Sequence, residues 1–317
     1  MRSVSVLTRR RLSGLLALII SGAVHAGSLA YVVNEKSATV SVIDTGTQQK
    51  VADFSVGERP RGIAAGGGYL YLTDGQRGQL LVVDLSSRQL IRRIDVGDSP
   101  EGVSLSPDGR RLAVAVEDHN QVVILSAPDG QRLASIPVEG RNPEHAVFSP
   151  DGRWLYVSAE EAAQVDVIDV ALARQVARIP VGKRPRGIGF LPDGSRAYVA
   201  CELAGKVYVI DVARQQVTAE IQAGQYPNGI AVDRQGQRVF VSNGRDPSVM
   251  AIDVASQAVL ATLTVGKRPW NMALSTDGRH LYVANGRSAS VSVIDAVDLK
   301  NLRDIDVGQL PWGVVIP

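Results

Sequence analysis

Seven prolines, Pro60, Pro100, Pro143, Pro185, Pro227, Pro269 and Pro311, recur at spacings of 40, 43, 42, 42, 42 and 42 residues, and the residues after them differ in chemistry. They are Arg61, Glu101, Glu144, Arg186, Asn228, Trp270 and Trp312. Repeat units that serve structure alone permit such variation but do not require it. Trp270 and Trp312 are two of the three tryptophans in the chain. Side by side they would form a stacking platform for a flat or sugar-like ligand; the plainer alternative is that each covers the end of its own unit. One position further on, five units keep Gly, while His145 and Asn271 replace it in the other two. His145 beside Glu144 has the makings of an acid/base pair or a metal ligand. A metal normally takes three or four ligands, and neither His119 nor His280 falls beside His145 in the repeat. No metal ligand set and no catalytic residue is therefore assigned.

The elements that must position these residues follow from the repeat. The motif V-G-x-x-P occurs five times, at Val56-Gly57, Val96-Gly97, Val181-Gly182, Val265-Gly266 and Val307-Gly308, with variants at Glu139-Gly140 and Ala223-Gly224. After each proline comes a short apolar strand, such as Gly187-Ile188-Gly189-Phe190. A turn follows, as in Ser106-Pro107-Asp108-Gly109 and Ser149-Pro150-Asp151-Gly152, where Pro presets φ and Asp-Gly closes a hairpin. A second strand (Leu281-Tyr282-Val283), a third (Val291-Ser292-Val293-Ile294-Asp295) and a fourth (Ala261-Thr262-Leu263-Thr264-Val265) complete the pattern. Third strands such as Leu80-Leu81-Val82-Val83 are apolar without alternation, as expected where both sheet faces are covered. Asp44, Asp84, Asp169, Asp211, Asp253 and Asp295 close the third strands at a fixed position and read as turn caps, not as a carboxylate cluster.

Four strands in about 42 residues is the pattern of a propeller blade. The predicted fold is all-β: a seven-bladed β-propeller with four antiparallel strands per blade, occupying residues 27–317. Leu29-Ala30-Tyr31-Val32-Val33 is a second-type strand with no first strand before it, and Gly313-Val314-Val315-Ile316 is a first-type strand with nothing after it. The two partial units add up to one composite blade that closes the ring and hides its edges. With the first strand innermost, the V-G-x-x-P loops and the loops between second and third strands share one face. The residues after the prolines then ring the mouth of the central channel.

Tyr31-Val32-Val33-Asn34 and Tyr282-Val283-Ala284-Asn285, with the V-S-V-I-D runs at 40–44 and 291–295, resemble the YVTN-repeat β-propeller family. With an export signal and one ring of repeats, the chain is similar to the periplasmic propellers associated with quinone (PQQ)-dependent alcohol catabolism. The resemblance implies an accessory role beside quinoprotein dehydrogenases and brings no catalytic residues with it.

Residues 1–26 are of another kind. Arg2, Arg9, Arg10 and Arg11 precede the apolar stretch Leu12 to Ile20, and Val24-His25-Ala26 presents small residues where a signal peptidase cleaves. The stretch is too short to span a bilayer, so a signal peptide cleaved after Ala26 and a periplasmic or secreted location are expected. Thr8-Arg9-Arg10-Arg11-Leu12 half-matches a twin-arginine signal. The segment carries four Arg and no acid, so the rest of the chain has 30 basic against 32 acidic residues, and the formal charge moves from +2 to −2. Little electrostatic case for nucleic acid remains. The single cysteine, Cys201, excludes an internal disulfide. The chain has no Cys-x-x-Cys-His, no Gly-x-Ser-x-Gly and no phosphate-cradling Gly-Lys-Ser/Thr loop, and no cofactor is expected. These features predict a monomeric, non-enzymatic binding or scaffold protein that takes a periplasmic protein or a small molecule at the channel mouth. The alternative is a hydrolase of the lactonase type with a metal at that mouth.

Overall fold

The computed structural model describes residues 28–317; the expected signal peptide lies outside them. These residues form seven four-stranded antiparallel sheets. Six are continuous in sequence: blade 1 (60–95), blade 2 (100–137), blade 3 (143–180), blade 4 (185–222), blade 5 (227–264) and blade 6 (269–306). Blade 7 joins Pro311–Val315 to Leu29–Asn34, Thr39–Asp44 and Gln49–Ser55. Val32 pairs with Val314 and Val33 with Gly313, so the ring closes in the expected register.

Burial follows strand rank within a blade. Second and third strands are buried at nearly every residue, as in Tyr69–Asp74 and Gln79–Asp84, because neighbouring blades cover both faces. Outer strands alternate instead, as in Gln216–Gln222. The core is accordingly a set of seams between blades. One joins Tyr71, Leu80 and Val82 of blade 1 to Leu112, Val114 and Val123 of blade 2. Another joins Ala30 and Val32 of blade 7 to Tyr282 and Val291 of blade 6.

Local chemistry sets the turns. Ser106 Oγ donates to Asp108 Oδ1 at 2.5 Å, and Gly109 sits at φ +70°, the left-handed geometry its hairpin needs. The third-strand aspartates are turn caps: Asp84 Oδ1 accepts from the Ser87 N–H at 2.8 Å, and Asp295 Oδ1 from the Asp298 N–H at 2.8 Å.

The V-G-x-x-P loops are anchored by the residue that ends the second strand. Asn285 Nδ2 donates to Ser290 and Ser292, at 3.2 and 2.8 Å, and its side chain lies against Gly266 of the neighbouring loop. A Cβ on Gly266 would come within 2.6 Å of Asn285 Cγ. The glycine of V-G therefore answers a close approach, and the Asn of Tyr-Val-Ala-Asn is what approaches.

Candidate functional site

The first strands are innermost, and the residues after the prolines ring the channel on the V-G-x-x-P face. Hydroxyls stitch this ring from blade to blade. Thr73 accepts from the Gly62 N–H at 2.7 Å and donates to the Glu101 carbonyl at 2.6 Å. Ser242 does the same between Gly229 (2.8 Å) and Trp270 (2.6 Å). At Gly62, Gly187 and Gly229, an added Cβ would run into the carbonyl of the next blade's ring residue. That is why Gly recurs at this position.

The charged arc of the ring is locked together. Arg61 is hydrogen-bonded to Glu101, and its Nε lies 3.7 Å from Glu35. Arg186 holds three carboxylates: Glu144 at 2.7 Å, Glu202 at 3.0 Å, and Glu160. Arg184 lies 3.2 Å from both Glu160 and Glu202, and Arg268 reaches Glu202 at 3.1 Å. Arg59 donates to Glu35 at 2.9 Å, and Ser99 to Glu117 at 3.1 Å. The result is an Arg–Glu lattice in two parts, one running from blade 7 to blade 2 through Glu35, Arg59, Arg61 and Glu101, the other joining blades 3 and 4 through Glu144, Glu160, Arg184, Arg186 and Glu202 and tied to blade 6 by Arg268, with Glu117 held by Ser99 between them.

Four of its carboxylates lie outside the proline register. Glu35, Glu117, Glu160 and Glu202 each follow the end of a second strand. The same repeat, read at that second position, places an acid in four units and Gly in the other three (Gly75, Gly244 and Gly286). Arg59, Arg184 and Arg268, directly before the prolines, complete the set.

Crowded carboxylates hold protons. Burial, with the charge of Glu144, lifts Glu101 to about 8 against partial relief from Arg61. Burial and Glu144 likewise lift Glu160 to about 7, against Arg186 and Arg184. Burial would raise Glu144 too, but Arg186, then His145 and Arg61, outweigh it and hold that carboxyl below its usual range. Arg186 stays charged, because its three carboxylates overcome the effect of burial. Enclosure depresses His145, opposed by Glu144 and reinforced by Arg186 and Arg61.

His145, of blade 3, meets Trp312 of blade 7 across the axis, with ring centroids 5.5 Å apart and planes at 37°. Trp312 is 6% exposed. Asn271 Nδ2 lies 3.5 Å from the Trp312 carbonyl. Trp270 covers Gly286 in its own blade, with the Arg268 guanidinium 5.9 Å from its ring. Asn228 is buried in the inner strand of blade 5. The structure thus brings Arg61, Glu101, Glu144, His145, Arg186 and Trp312 to one place. Of the two tryptophans, Trp312 lies against His145, while Trp270 covers Gly286 and packs against the apolar cluster that contains Trp312.

The donors do not fit a metal. Glu144 is committed to Arg186, and Glu101 to Arg61. Among the described residues, no group of three or more His, Cys, Asp or Glu is placed to ligate one. Among the same residues, no helix is long and apolar enough to cross a membrane.

Ring, seams and closing strand define a seven-bladed propeller whose inner face is polar and interlocked. The chain matches the family model "Lactonase, 7-bladed beta-propeller" over residues 22–174 and 172–305, and it belongs to that family. No curated protein matches it. Among solved structures it is similar to hydrazine synthase of Kuenenia stuttgartiensis, with 25% identity and a TM-score of 0.79 over 86% of this chain and 93% of that one. A functionally unknown protein from Desulfotomaculum acetoxidans is similar at 16% identity and TM-score 0.79, over 92% and 99% of the two chains. The dihydro-heme d1 dehydrogenase NirN, in complex with DHE, is similar at 18% identity and TM-score 0.66, over 91% of this chain and 75% of that one. The last two, below 25% identity, speak to fold alone.

Proposed function

We propose that this is a non-enzymatic binding propeller that docks a protein partner on its V-G-x-x-P face. One observation carries the reading: the mouth holds the chain's own Arg–Glu lattice and the His145–Trp312 contact, so Glu101, Glu144, Glu160 and Glu202 each engage a guanidinium of the chain itself. Around the mouth lies a broad surface for contact. On that surface Asp98 and Asp118 stand exposed on blade 2, Glu58 and Glu161 pair with the exposed Arg77 and Arg141, and Lys36, Arg245, Lys267 and Arg287 are exposed on blades 5–7. Charge arranged in this way steers and orients a complementary partner. The chain acts in the periplasm as a single subunit beside quinone-dependent alcohol catabolism; the basic-apolar segment 1–26 and the YVTN-type repeats support that placement.

The second reading, lactone hydrolysis, is favoured by family membership and by Glu101, which carries its proton at neutral pH beside Arg61. The donor set does not fit a metal, so no step through one follows.

A photo-crosslinking residue installed at Glu161, on the docking face, and at Leu172, exposed on the opposite face, tests the first reading in cells that export the chain. A discrete adduct from position 161 and none from 172 is expected. Equal labelling from both positions, or none from 161, overturns it.

A further inference from the structure

The cationic half of the face is concave where blades 5 and 6 meet. Tyr226, Arg245, Lys267, Arg268 and Arg287 line a cavity of about 420 Å³ there, floored by Gly244. This is within the range of small-molecule sites. The four basic side chains come from three different loops: Lys267 and Arg268 from the V-G-x-x-P loop entering blade 6, Arg245 and Arg287 from the loops after the second strands of blades 5 and 6.

Tyr226 organises two of them. The Arg245 guanidinium lies 4.6 Å from its ring and donates to the Tyr226 hydroxyl at 3.2 Å, and the Arg268 guanidinium lies 5.9 Å from the same ring. Tyr226 and Arg268 both precede prolines and both sit in the left-handed region, at φ 59° and 58°. Ser99, Asn142, Arg184 and Leu310 share this geometry at the same repeat position, so it belongs to the blade repeat.

Little nearby negative charge balances these cations. Asp246, next to Arg245, turns away and accepts the Gln225 N–H at 2.6 Å. Glu202 takes one arm of Arg268 at 3.1 Å. Arg245, Lys267 and Arg287 form no ion pair within 4.0 Å among the described residues. Four cations gathered in one hollow repel one another, and an anion with several oxygens would relieve that repulsion while using the planar donor forks of the arginines.

We propose that this cavity binds a small polyanion, through carboxylate or phosphate oxygens held by Arg245, Lys267, Arg268 and Arg287. The site goes beyond the docking reading, since it takes a small ligand at the rim and does not depend on a partner covering the face. Three of the four cations are exposed, so affinity falls as ionic strength rises.

Isothermal titration of the full chain with pyrophosphate and with citrate, against chloride at matched ionic strength, tests it. Saturable one-to-one binding of at least one probe is expected, weakened about tenfold or more by Arg245→Ala with Arg287→Ala and unchanged by Arg174→Gln, an exposed cation on blade 3. Pyrophosphate alone binding assigns phosphate; citrate alone assigns carboxylate. If the double variant does not melt like the wild type, Lys267→Gln makes the same comparison. Binding no stronger than chloride's, or equal in wild type and variant, leaves an adventitious ion only and overturns the proposal. A failed crosslink at position 161 with successful titration would sink the docking reading and leave this one standing.

Discussion

At the scale of single residues, the mouth is governed by where protons reside. Glu101 is buried beside Glu144 and Arg61, and its value of about 8 stands above the 4.5 it has when unfolded. The native state therefore keeps a proton that the unfolded chain gives up, and this group makes stability fall as pH rises from about 4.5 to about 8, by at most about 1.4 kcal/mol per pH unit. Glu160 acts in the same direction up to about 7. His145 acts oppositely below 6.5, because its depressed value favours the folded state as the proton leaves. Glu101→Gln has no proton to lose at this position. Its stability relative to wild type is expected to climb between pH 5 and pH 8 and level off above, as read from urea unfolding across that range. Parallel curves for the two proteins would contradict the assignment.

At the scale of elements, the closing strand Pro311–Val315 has several tasks. It completes blade 7, pairs with Leu29–Asn34, and delivers Trp312 to the axis. Removing residues 311–317 exposes the edge of Leu29–Asn34 and empties the space under Trp312, a large buried ring whose loss alone costs about 3–5 kcal/mol. Loss of a single cooperative thermal transition is expected, and a melting profile identical to that of the full chain would refute the closure. This architecture is legible in sequence because each blade repeats its own local instructions: Pro at the start of the inner strand, Asp-Gly in the hairpin, Asp after the third strand. The candidate site was legible only in part. The positions after the prolines mark Arg61, Glu101, Glu144 and Arg186, which the fold pairs as Arg61 with Glu101 and Arg186 with Glu144. Glu35, Glu117, Glu160 and Glu202 escape that reading because they sit at another position of the repeat, and only folding brings the two positions together. The partners of Trp312 and Trp270 were also out of reach, since spacing fixes where a side chain starts and not where it turns.

At the scale of the whole molecule, two faces do different work. The face of the hairpin and third-strand turns is built from self-contained caps such as Asp84 and Asp295. The V-G-x-x-P face carries an interlocked centre, charge of both signs on blades 1–3 and a cationic arc with its own hollow on blades 5–7. Family membership names a hydrolytic fold, while the centre of this chain ties its carboxylates to arginines. The direct test is hydrolysis of a panel of five- and six-membered lactones at pH 7, by the chain as purified, after chelation, and after addition of manganese, zinc or calcium. Rates equal to the uncatalysed reaction are expected under every condition. Turnover that requires a metal and falls about a hundredfold or more in Glu144→Gln would contradict the binding role and place a catalytic site at the mouth.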